Sequence, residues 1–241
     1  MEEPIKIFIG TEPLQWLATE VLKRSILKRT KAAVVFHDLI GIDLGLRLKM
    51  YTGFSFYRFS IPEKCGYEGR AIYLDADMVV LGDIAELANI DMQGFGVLAR
   101  KANAESYFTS TMLMDCAKLK HWKVKEWVAL INAGLTSYAG CMSGAPSGMN
   151  HADFGPLAPI WNDFDKYDEK TKLIHYTHVP TQPWKKAGHP FRGAFLQELY
   201  DCIEDGTVRI QDVEKEIKQQ KIYPNILSDM REYISEKNKA L

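Results

Sequence analysis

Residues 71–80 read AIYLDADMVV, and this stretch decides the fold. Its first four residues form a short apolar run rich in β-formers, which predicts a buried strand. Two aspartates, Asp75 and Asp77, follow this run directly. Because ligands in open α/β sheets bind where strands end, we expect a functional site at this point.

Two further strands and a helix precede this stretch. Residues 5–10, IKIFIG, and residues 33–36, AVVF, are apolar runs that predict buried strands. Between them, apolar residues recur at helical spacing from Pro13 to Thr30. A strand, a helix and a strand in this order predict a βαβ unit, and therefore a parallel sheet covered by helices.

The rest of the chain continues this mixed pattern. In chain order it predicts a strand at 111–114, a helix at 118–131, an irregular loop at 134–159, a strand at 172–176 and a mostly helical segment at 191–241, broken near Gly206 and Pro224. We therefore expect an α/β fold with a main domain at 1–190 and a helical C-terminal appendage at 191–241.

Composition excludes several classes of protein. The 241 residues include 30 Lys plus Arg against 31 Asp plus Glu, a net charge of −1, which argues against a general nucleic-acid binder. With 46% hydrophobic and 25% charged residues, the chain has ordinary globular composition rather than that of a disordered, collagen-like or coiled-coil protein.

The sequence also bears on location and on the cysteines. No apolar run approaches the roughly 18 residues of a membrane span, and the N-terminal sequence MEEP lacks the basic start of a signal peptide, so we expect a cytoplasmic protein. The basic residues between Lys23 and Lys31 form a face that is by default solvated; a peripheral contact with a membrane is the alternative.

Four cysteines stand far apart without a CxxC pair, which favours reduced, packed thiols.

The paired aspartates indicate a metal site. Alternation along a strand sends residues i and i+2 to the same side, so Asp75 and Asp77 can converge and repel each other unless a cation lies between them. Mg²⁺ and Mn²⁺ take carboxylate oxygens together with substrate phosphates. In an arbitrary DxD sequence, one aspartate more often caps a turn while the other is solvated; the buried strand directly before this pair favours the metal.

Three kinds of metal–phosphate enzyme compete for this motif. A haloacid-dehalogenase-type phosphatase has DxDx(T/V) after an apolar strand, which residues 75–79 match, but it places this motif on its first strand. A nucleotidyltransferase would need a Gly-rich phosphate loop after the first strand, which residues 10–13, GTEP, do not supply. The third is glycosyl transfer from a nucleotide sugar.

The third interpretation rests on a family resemblance. Residues 54–62, FSFYRFSIP, and 71–84, AIYLDADMVVLGDI, strongly resemble glycosyltransferase family 8, whose pattern is (Y/F)xR(F/L)xIP followed by YLDaDxxvxgDi. Residues 110–115, STMLMD, resemble its next strand, and 174–185, from IHYT to QPWK, its late HyxGxxKPW motif. The resemblance spans about residues 5–186 and implies a Rossmann-like GT-A fold with a mixed, mostly parallel sheet flanked by helices. It also implies a UDP-sugar donor, Mn²⁺ or Mg²⁺, and hexose transfer with retention.

The resemblance also implies roles for individual residues. It makes Asp75, Asp77 and His175 the metal ligands. It places the donor nucleotide sugar against the residues Ile9, Gly10, Thr11, Glu12, Arg58, Ala76 and Lys185. The sequence identifies no catalytic residue. A non-catalytic nucleotide-sugar binder also stays open, because the family's DQD segment has no counterpart between Thr136 and Pro159, where Asp153 with Asn150 and His151 forms the only polar cluster.

Two more departures from the family pattern concern the site. The family's Asn-Ser-Gly appears here as residues 109–111, TST, and its lysine before Pro-Trp is replaced by Gln182. The acceptor, a glycan, a lipid or a small molecule, is not identified, because acceptor surfaces vary freely on one scaffold. A homodimer also stays open.

Overall fold

The computed structural model describes residues 3–47 and 50–239, and within them the chain divides into two compact units. The first unit comprises the N-terminal segment up to Glu12 together with Lys31–Asp75 and Ile84–Asn162. The second comprises Pro13–Thr30, Ala76–Asp83 and the segment from Asp163 onward. The chain leaves the first unit at Asp75 and enters the second at Ala76, so the border between the units falls inside the DxD motif.

The first unit is built on a six-stranded sheet in the order β2-β1-β3-β6-β5-β7. Its strands are β1 (Ile5–Gly10), β2 (Val34–Leu39), β3 (Arg70–Asp75), β5 (Val97–Lys101), β6 (Tyr107–Asp115) and β7 (Phe154–Leu157). β1 is parallel to β2 and to β3, and β5 is parallel to β7, whereas β6 runs antiparallel to both of its neighbours. The mixed, mostly parallel sheet expected from the sequence is therefore confirmed.

Among the described residues, the first unit has four short helices. They are α2 (Ile61–Lys64), α3 (Ile84–Ala88), α4 (Val124–Asn132) and α5 (Tyr138–Ser143). The aromatic side chains Phe59, Trp122, Trp127 and Tyr138 belong to one buried cluster with Tyr73 on the sheet. Full burial of a large apolar side chain contributes about 1.5–3 kcal/mol. These residues therefore stabilise the packing around Tyr73, which lies on β3 two residues before the end of that strand.

The second unit has its own small sheet and its own core. β4 (Met78–Val80) pairs antiparallel with β9 (Leu173–His175), which pairs parallel with β8 (Asp163–Phe164). Its helices are α1 (Trp16–Leu27), α6 (Arg192–Glu204), α7 (Ile210–Lys218) and α8 (Ile226–Lys239). Their apolar faces and the β-strands share one core, which includes Val21, Ile174, Trp184 and Leu199.

The helical C-terminal segment is confirmed, with interruptions at the expected places. Residues 205–209 separate α6 from α7, and residues 219–225 separate α7 from α8. The last two residues of the predicted segment, 240 and 241, lie outside the described residues. The division into 1–190 and 191–241 stays a prediction; in the structure α6 contacts α1, so the C-terminal helices share their unit with an N-terminal helix.

Two local predictions were wrong. The helix expected at 118–131 begins at Val124, because Leu119 and Trp122 are buried within a turn, where the indole Nε1 of Trp122 donates to Asp153 Oδ2 at 2.7 Å. The expected loop at 134–159 contains α5 and β7. Ser137 caps α5 by accepting from the backbone N–H of Gly140 at 3.0 Å, and Gly144 ends it in the left-handed region, φ +56°.

Candidate functional site

Two parallel strands end side by side in the first unit. β1 and β3 are in register as far as the pair Gly10 and Asp75, the last residue of each strand. Carboxyl ends of parallel strands at one edge of a sheet are the usual position of a ligand site in α/β proteins. The structure therefore places the predicted donor-binding segment Ile9–Glu12 beside Asp75, the first aspartate of the motif.

The side chain of Asp75 is held by two groups of the same unit. Arg58 Nη2 lies 3.0 Å from Asp75 Oδ1, and the hydroxyl of Tyr73 donates to the same oxygen. The guanidinium carbon of Arg58 lies 4.5 Å from the centre of the Tyr73 ring, within the range of a cation–π contact. Arg58 and Tyr73 thus fix the orientation of the Asp75 carboxylate.

The other N–H groups of Arg58 are also used inside the protein. Its Nε donates to the backbone oxygen of Ser55 at 2.7 Å, and its Nη1 donates to the backbone oxygen of Thr109 at 2.6 Å and to the Thr109 hydroxyl at 3.1 Å. The side chain is only 4% exposed. The contacts seen for Arg58 are therefore those of a residue that positions Asp75, and its direct contact with the donor stays a prediction.

Gly10 leaves room for this arrangement. A Cβ atom at residue 10 would lie 2.1 Å from the Tyr73 hydroxyl and 2.7 Å from the Phe54 ring. No heavy atom fits at such distances, so a larger residue would displace Tyr73 from Asp75. Ile9 and Thr11 are buried on either side of Gly10, whereas Glu12 is partly exposed.

The second aspartate and the histidine meet in the second unit. Met78 on β4 pairs with His175 on β9, and the backbone N–H of Tyr176 donates to the backbone oxygen of Asp77 at 2.9 Å. This pairing brings His175 Nε2 to 3.1 Å from Asp77 Oδ1, and both side chains are buried. Ala76, between the two aspartates, is also buried. Asp77 and His175 thus lie together within one unit although 98 residues of sequence separate them, and their role as metal ligands stays a prediction.

The sequence did not predict the role of Gln182. Its side chain is fully buried, and its Nε2 donates to Asp77 Oδ2 at 2.8 Å and to the backbone oxygen of Tyr176 at 2.9 Å. Gln182 therefore fixes one oxygen of Asp77 and leaves the other facing His175. The available signal was its position before Pro183-Trp184, where the family pattern has lysine.

Tyr176 and Lys185 lie before and after Gln182 in the same segment of the chain. Burial raises the pKa of Tyr176 well above its usual value, so its hydroxyl stays protonated and donates to the backbone oxygen of Phe191 at 3.0 Å. Lys185 is partly exposed in the turn after Trp184 and lines a cavity of about 680 Å³ with residues around Tyr223. Its predicted contact with the donor diphosphate stays a prediction.

The chemistry of Asp77 and His175 fits a divalent cation. Asp77 Oδ1 is buried and, among the described residues, has no hydrogen-bond partner. Octahedral coordination with bonds of about 2.1 Å places neighbouring ligand atoms roughly 3.0 Å apart, close to the 3.1 Å between Asp77 Oδ1 and His175 Nε2. A carboxylate oxygen and an imidazole nitrogen at this spacing suit a metal such as Mn²⁺.

Asp153 contacts neighbouring side chains of its own unit. Its Oδ2 accepts from Trp122 Nε1 at 2.7 Å and lies 2.8 Å from His121 Nε2. Asn150 donates to the backbone oxygen of Cys141 at 3.1 Å, and His151 Nδ1 lies 2.6 Å from the backbone oxygen of Gly144. The contacts seen for this polar cluster hold the segment between α5 and β7 in place.

The basic face of α1 is neutralised within the second unit. Lys23 pairs with Glu20, Arg24 with Asp205, Lys28 with Asp201, and Arg29 with Glu198. Four of the cations that suggested a membrane contact therefore have acidic partners. Within the described residues, none of the helices has the length and apolar character needed to span a membrane.

Comparison with known proteins shows the family of the chain. The sequence profile of glycosyl transferase family 8 matches residues 14–134, half of the chain. The chain belongs to this family. The matched residues include the segment with Arg58 and the DxD motif, where the resemblance to the family pattern is strongest.

Relatives of this family member include proteins from distant organisms. Protein CDI from Arabidopsis thaliana is 25% identical over 212 residues, which cover 76% of this chain and 80% of that protein. Glycosyltransferase GlyF from Streptococcus pneumoniae is 33% identical over 76 residues, which cover 29% of this chain and 19% of that protein. The similarity to GlyF is therefore confined to one segment of a longer protein.

Solved structures agree with the family assignment at the level of the fold. The glycosyltransferase GlyE of Streptococcus pneumoniae has a TM-score of 0.61 and 15% identity, with 92% of this chain matched to 65% of that one. The galactosyltransferase LgtC, solved with donor and acceptor sugar analogues, has a TM-score of 0.58 and 12% identity, with 82% matched to 96%. These structures show that the chain has the GT-A fold.

Proposed function

We propose that this chain is a metal-dependent glycosyltransferase that moves a hexose from a UDP-sugar to an acceptor, with retention at the anomeric carbon. Family membership and fold support glycosyl transfer. The observation that carries the metal-dependent part is the buried Oδ1 of Asp77, which accepts no hydrogen bond among the described residues and lies 3.1 Å from His175 Nε2.

Asp75, Asp77 and His175 are the proposed ligands of Mn²⁺ or Mg²⁺. Asp77 and His175 supply the contact seen in the second unit. Asp75 precedes Asp77 by two residues, so the chain itself keeps the two carboxylates close. When bound, a divalent cation acts as a Lewis acid and stabilises the negative charge that grows on the leaving nucleoside diphosphate.

Residues around these ligands keep them in place. Arg58 and Tyr73 hold Asp75, and Gln182 holds Asp77, each through a direct hydrogen bond. Partners of this kind usually change metal affinity 10- to 100-fold when they are removed from a metalloprotein. We propose that all three are positioning residues, although the sequence resemblance placed Arg58 against the donor.

The donor is proposed to lie along the ends of β1 and β3. In this arrangement Ile9–Glu12 and Ala76 contact the nucleoside and Lys185 contacts the diphosphate, as the resemblance implies. The acceptor is a glycan, a lipid or a small molecule. The cytoplasmic location, the possibility of a homodimer and a catalytic domain at 1–190 with an appendage at 191–241 are further parts of the proposal.

A donor-hydrolysis screen tests the proposal. The protein is incubated with Mn²⁺ and each of several UDP-sugars, and release of free sugar is measured; we expect release from one or a few donors. Asp77→Asn should abolish release. The control Asp91→Asn changes an exposed aspartate three residues after α3 and should not affect release.

Two other outcomes would contradict the proposal. Metal-dependent UDP binding without sugar release from any donor would support a non-catalytic nucleotide-sugar binder. Turnover of a generic phosphomonoester that disappears in Asp75→Asn would support a phosphatase. The screen therefore separates the three functions that the motif leaves open.

A further inference from the structure

Two of the four cysteines, Cys65 and Cys116, lie in neighbouring segments of the first unit. Cys65 follows α2, and Cys116 follows β6, where its backbone N–H donates to the backbone oxygen of Gly69 at 3.0 Å. Cys65 packs against the core cluster that contains Cys116, and the turn that begins at Cys116 contacts α2, the helix that ends directly before Cys65. Neither cysteine is in a disulfide, so both are available as thiols.

The two thiols differ in access to solvent. Cys65 is partly exposed and lines a cavity of about 730 Å³. Cys116 is fully buried behind it, in the core cluster of the first unit. A reagent that enters the cavity therefore reaches the Cys65 sulfur first, and Cys116 can react only through Cys65.

The groups around the Cys65 sulfur favour its thiolate form. The hydrogen bond from Cys116 and the charge of Lys6 outweigh desolvation and lower the pKa of Cys65 to about 7. The same hydrogen bond, together with burial, raises the pKa of Cys116, so Cys116 keeps its proton and acts as the donor. The titratable and charged groups near the pair are Lys6, His37, Asp38, Lys64 and Asp115.

We infer that Cys65 is a modification site for hydroperoxides and soft electrophiles, and that Cys116 is its resolving partner. The inference does not depend on the proposed glycosyltransferase activity, because neither thiol contacts the residues assigned to the metal or the donor. It rests on the packing of Cys65 against the cluster that contains Cys116, on the cavity that is lined by Cys65 and not by Cys116, and on the lysines that line the same cavity.

The oxidation is a balanced two-electron reaction. The Cys65 thiolate attacks hydrogen peroxide, the O–O bond breaks, and a sulfenic acid forms on Cys65 while the departing hydroxide takes a proton to become water. Cys116 sulfur then attacks Cys65 sulfur, the S–O bond breaks, and the Cys116 proton leaves with the hydroxyl as a second water. The products are a Cys65–Cys116 disulfide and two waters.

Alkylation measures the reactivity of Cys65. The folded protein is treated with limiting iodoacetamide at pH 7, and each cysteine peptide is quantified by mass spectrometry. Cys141 and Cys202 are internal controls, because both are buried and burial raises the pKa of each thiol. We expect Cys65 to react at least about tenfold faster than either control, with a half-maximal rate near pH 7.

Two lysine variants separate local charge from general effects. Lys6→Gln should move the half-maximal pH of Cys65 alkylation upward, and Lys170→Gln, an exposed lysine of the second unit, should leave it unchanged. Equal alkylation rates at Cys65 and Cys141 would overturn the inference.

Peroxide treatment tests the resolving step. One equivalent should produce a peptide pair that joins Cys65 to Cys116 and is two hydrogen atoms lighter than the separate peptides. In Cys116→Ala the sulfenic acid should persist on Cys65 and be trapped by dimedone, and in Cys65→Ala neither product should form. Two results with the wild type would overturn the assignment of Cys116: a disulfide between Cys65 and another cysteine, or a stable sulfenic acid on Cys65. Because both are measured on the wild-type protein, the test holds even if a variant does not fold.

Discussion

Replacing Gln182 by methionine removes a buried donor from Asp77 while keeping the side chain about the same size. The variant loses the 2.8 Å hydrogen bond to Asp77 Oδ2 and the 2.9 Å hydrogen bond to the Tyr176 carbonyl. It also removes Gln182 Oε1, which is buried and has no partner among the described residues. The two effects on stability therefore have opposite signs.

The magnitude follows from typical values for these groups. A hydrogen bond to a charged group contributes about 1.5–3 kcal/mol, and one to a neutral carbonyl about 0.5–1.5 kcal/mol. Removal of an unpaired buried acceptor returns about 1–3 kcal/mol. We expect Gln182→Met to reduce the free energy of unfolding by about 1–2 kcal/mol, as measured by urea denaturation without metal.

The effect on metal binding should be larger than this stability change suggests. Without Gln182, Asp77 can rotate away from His175, and we expect Mn²⁺ affinity in calorimetry to fall 10- to 100-fold. Gln211→Met, an exposed substitution on α7, is the control and should leave both quantities unchanged. Wild-type Mn²⁺ affinity in Gln182→Met would refute the claim that Gln182 positions Asp77.

A second substitution at the same position separates charge from packing. Gln182→Glu places another carboxylate 2.8 Å from Asp77, where the two negative charges repel each other without a cation. We expect Mn²⁺ to raise the Tm of Gln182→Glu more than that of the wild type. An equal Tm increase in both proteins would show that the cation does not bind beside residue 182.

Three further changes probe the ends of β1 and β3 and a pH-dependent contact. Arg58→Met removes the buried guanidinium that contacts Asp75, Ser55 and Thr109 and should cost about 3–5 kcal/mol in urea unfolding; a loss below 1 kcal/mol would contradict the positioning role. Gly10→Ala should destabilise the protein through its clash with Tyr73, and Tyr73→Phe should partly restore stability in the double variant; additive losses would argue against the clash. The Thr207 hydroxyl lowers the pKa of Asp205 below its usual 3.8, so its contribution is present at pH 7 and is lost as the pH falls through that lowered pKa. Thr207→Val should therefore lower the urea midpoint at pH 7, and this difference should shrink as the pH is lowered below 3.8; a difference that does not change with pH would contradict this contribution.

Strong local patterns predicted the core of the fold. The runs at 5–10 and 71–74 are short, apolar and bounded by turn residues, and both are strands in the structure. The helix expected from Pro13 begins with one turn of 3₁₀ helix at Pro13–Gln15 and continues as α1. In such segments local preference and burial favour the same conformation.

Elements set by distant contacts were not predictable in the same way. α5 has six residues and β7 has four, and both are too short to show a periodic pattern. β7 is a strand because its backbone pairs with that of β5. The sequence placed Asp75, Asp77 and His175 in one motif set but gave no sign that Arg58 contacts Asp75. The sequence shows that Gln182 replaces the family's lysine, but only the folded chain shows that its amide contacts Asp77 across 105 residues.

Calorimetric titration with UDP, in the presence and absence of Mn²⁺, tests the central claim most directly. The claim is that Asp75, Asp77 and His175 hold a divalent cation through which a nucleoside diphosphate is bound. We expect UDP to bind wild-type protein only with Mn²⁺, and Asp77→Ala to abolish binding while Asp91→Ala leaves it intact. Unchanged, metal-independent UDP affinity in Asp77→Ala would contradict the account.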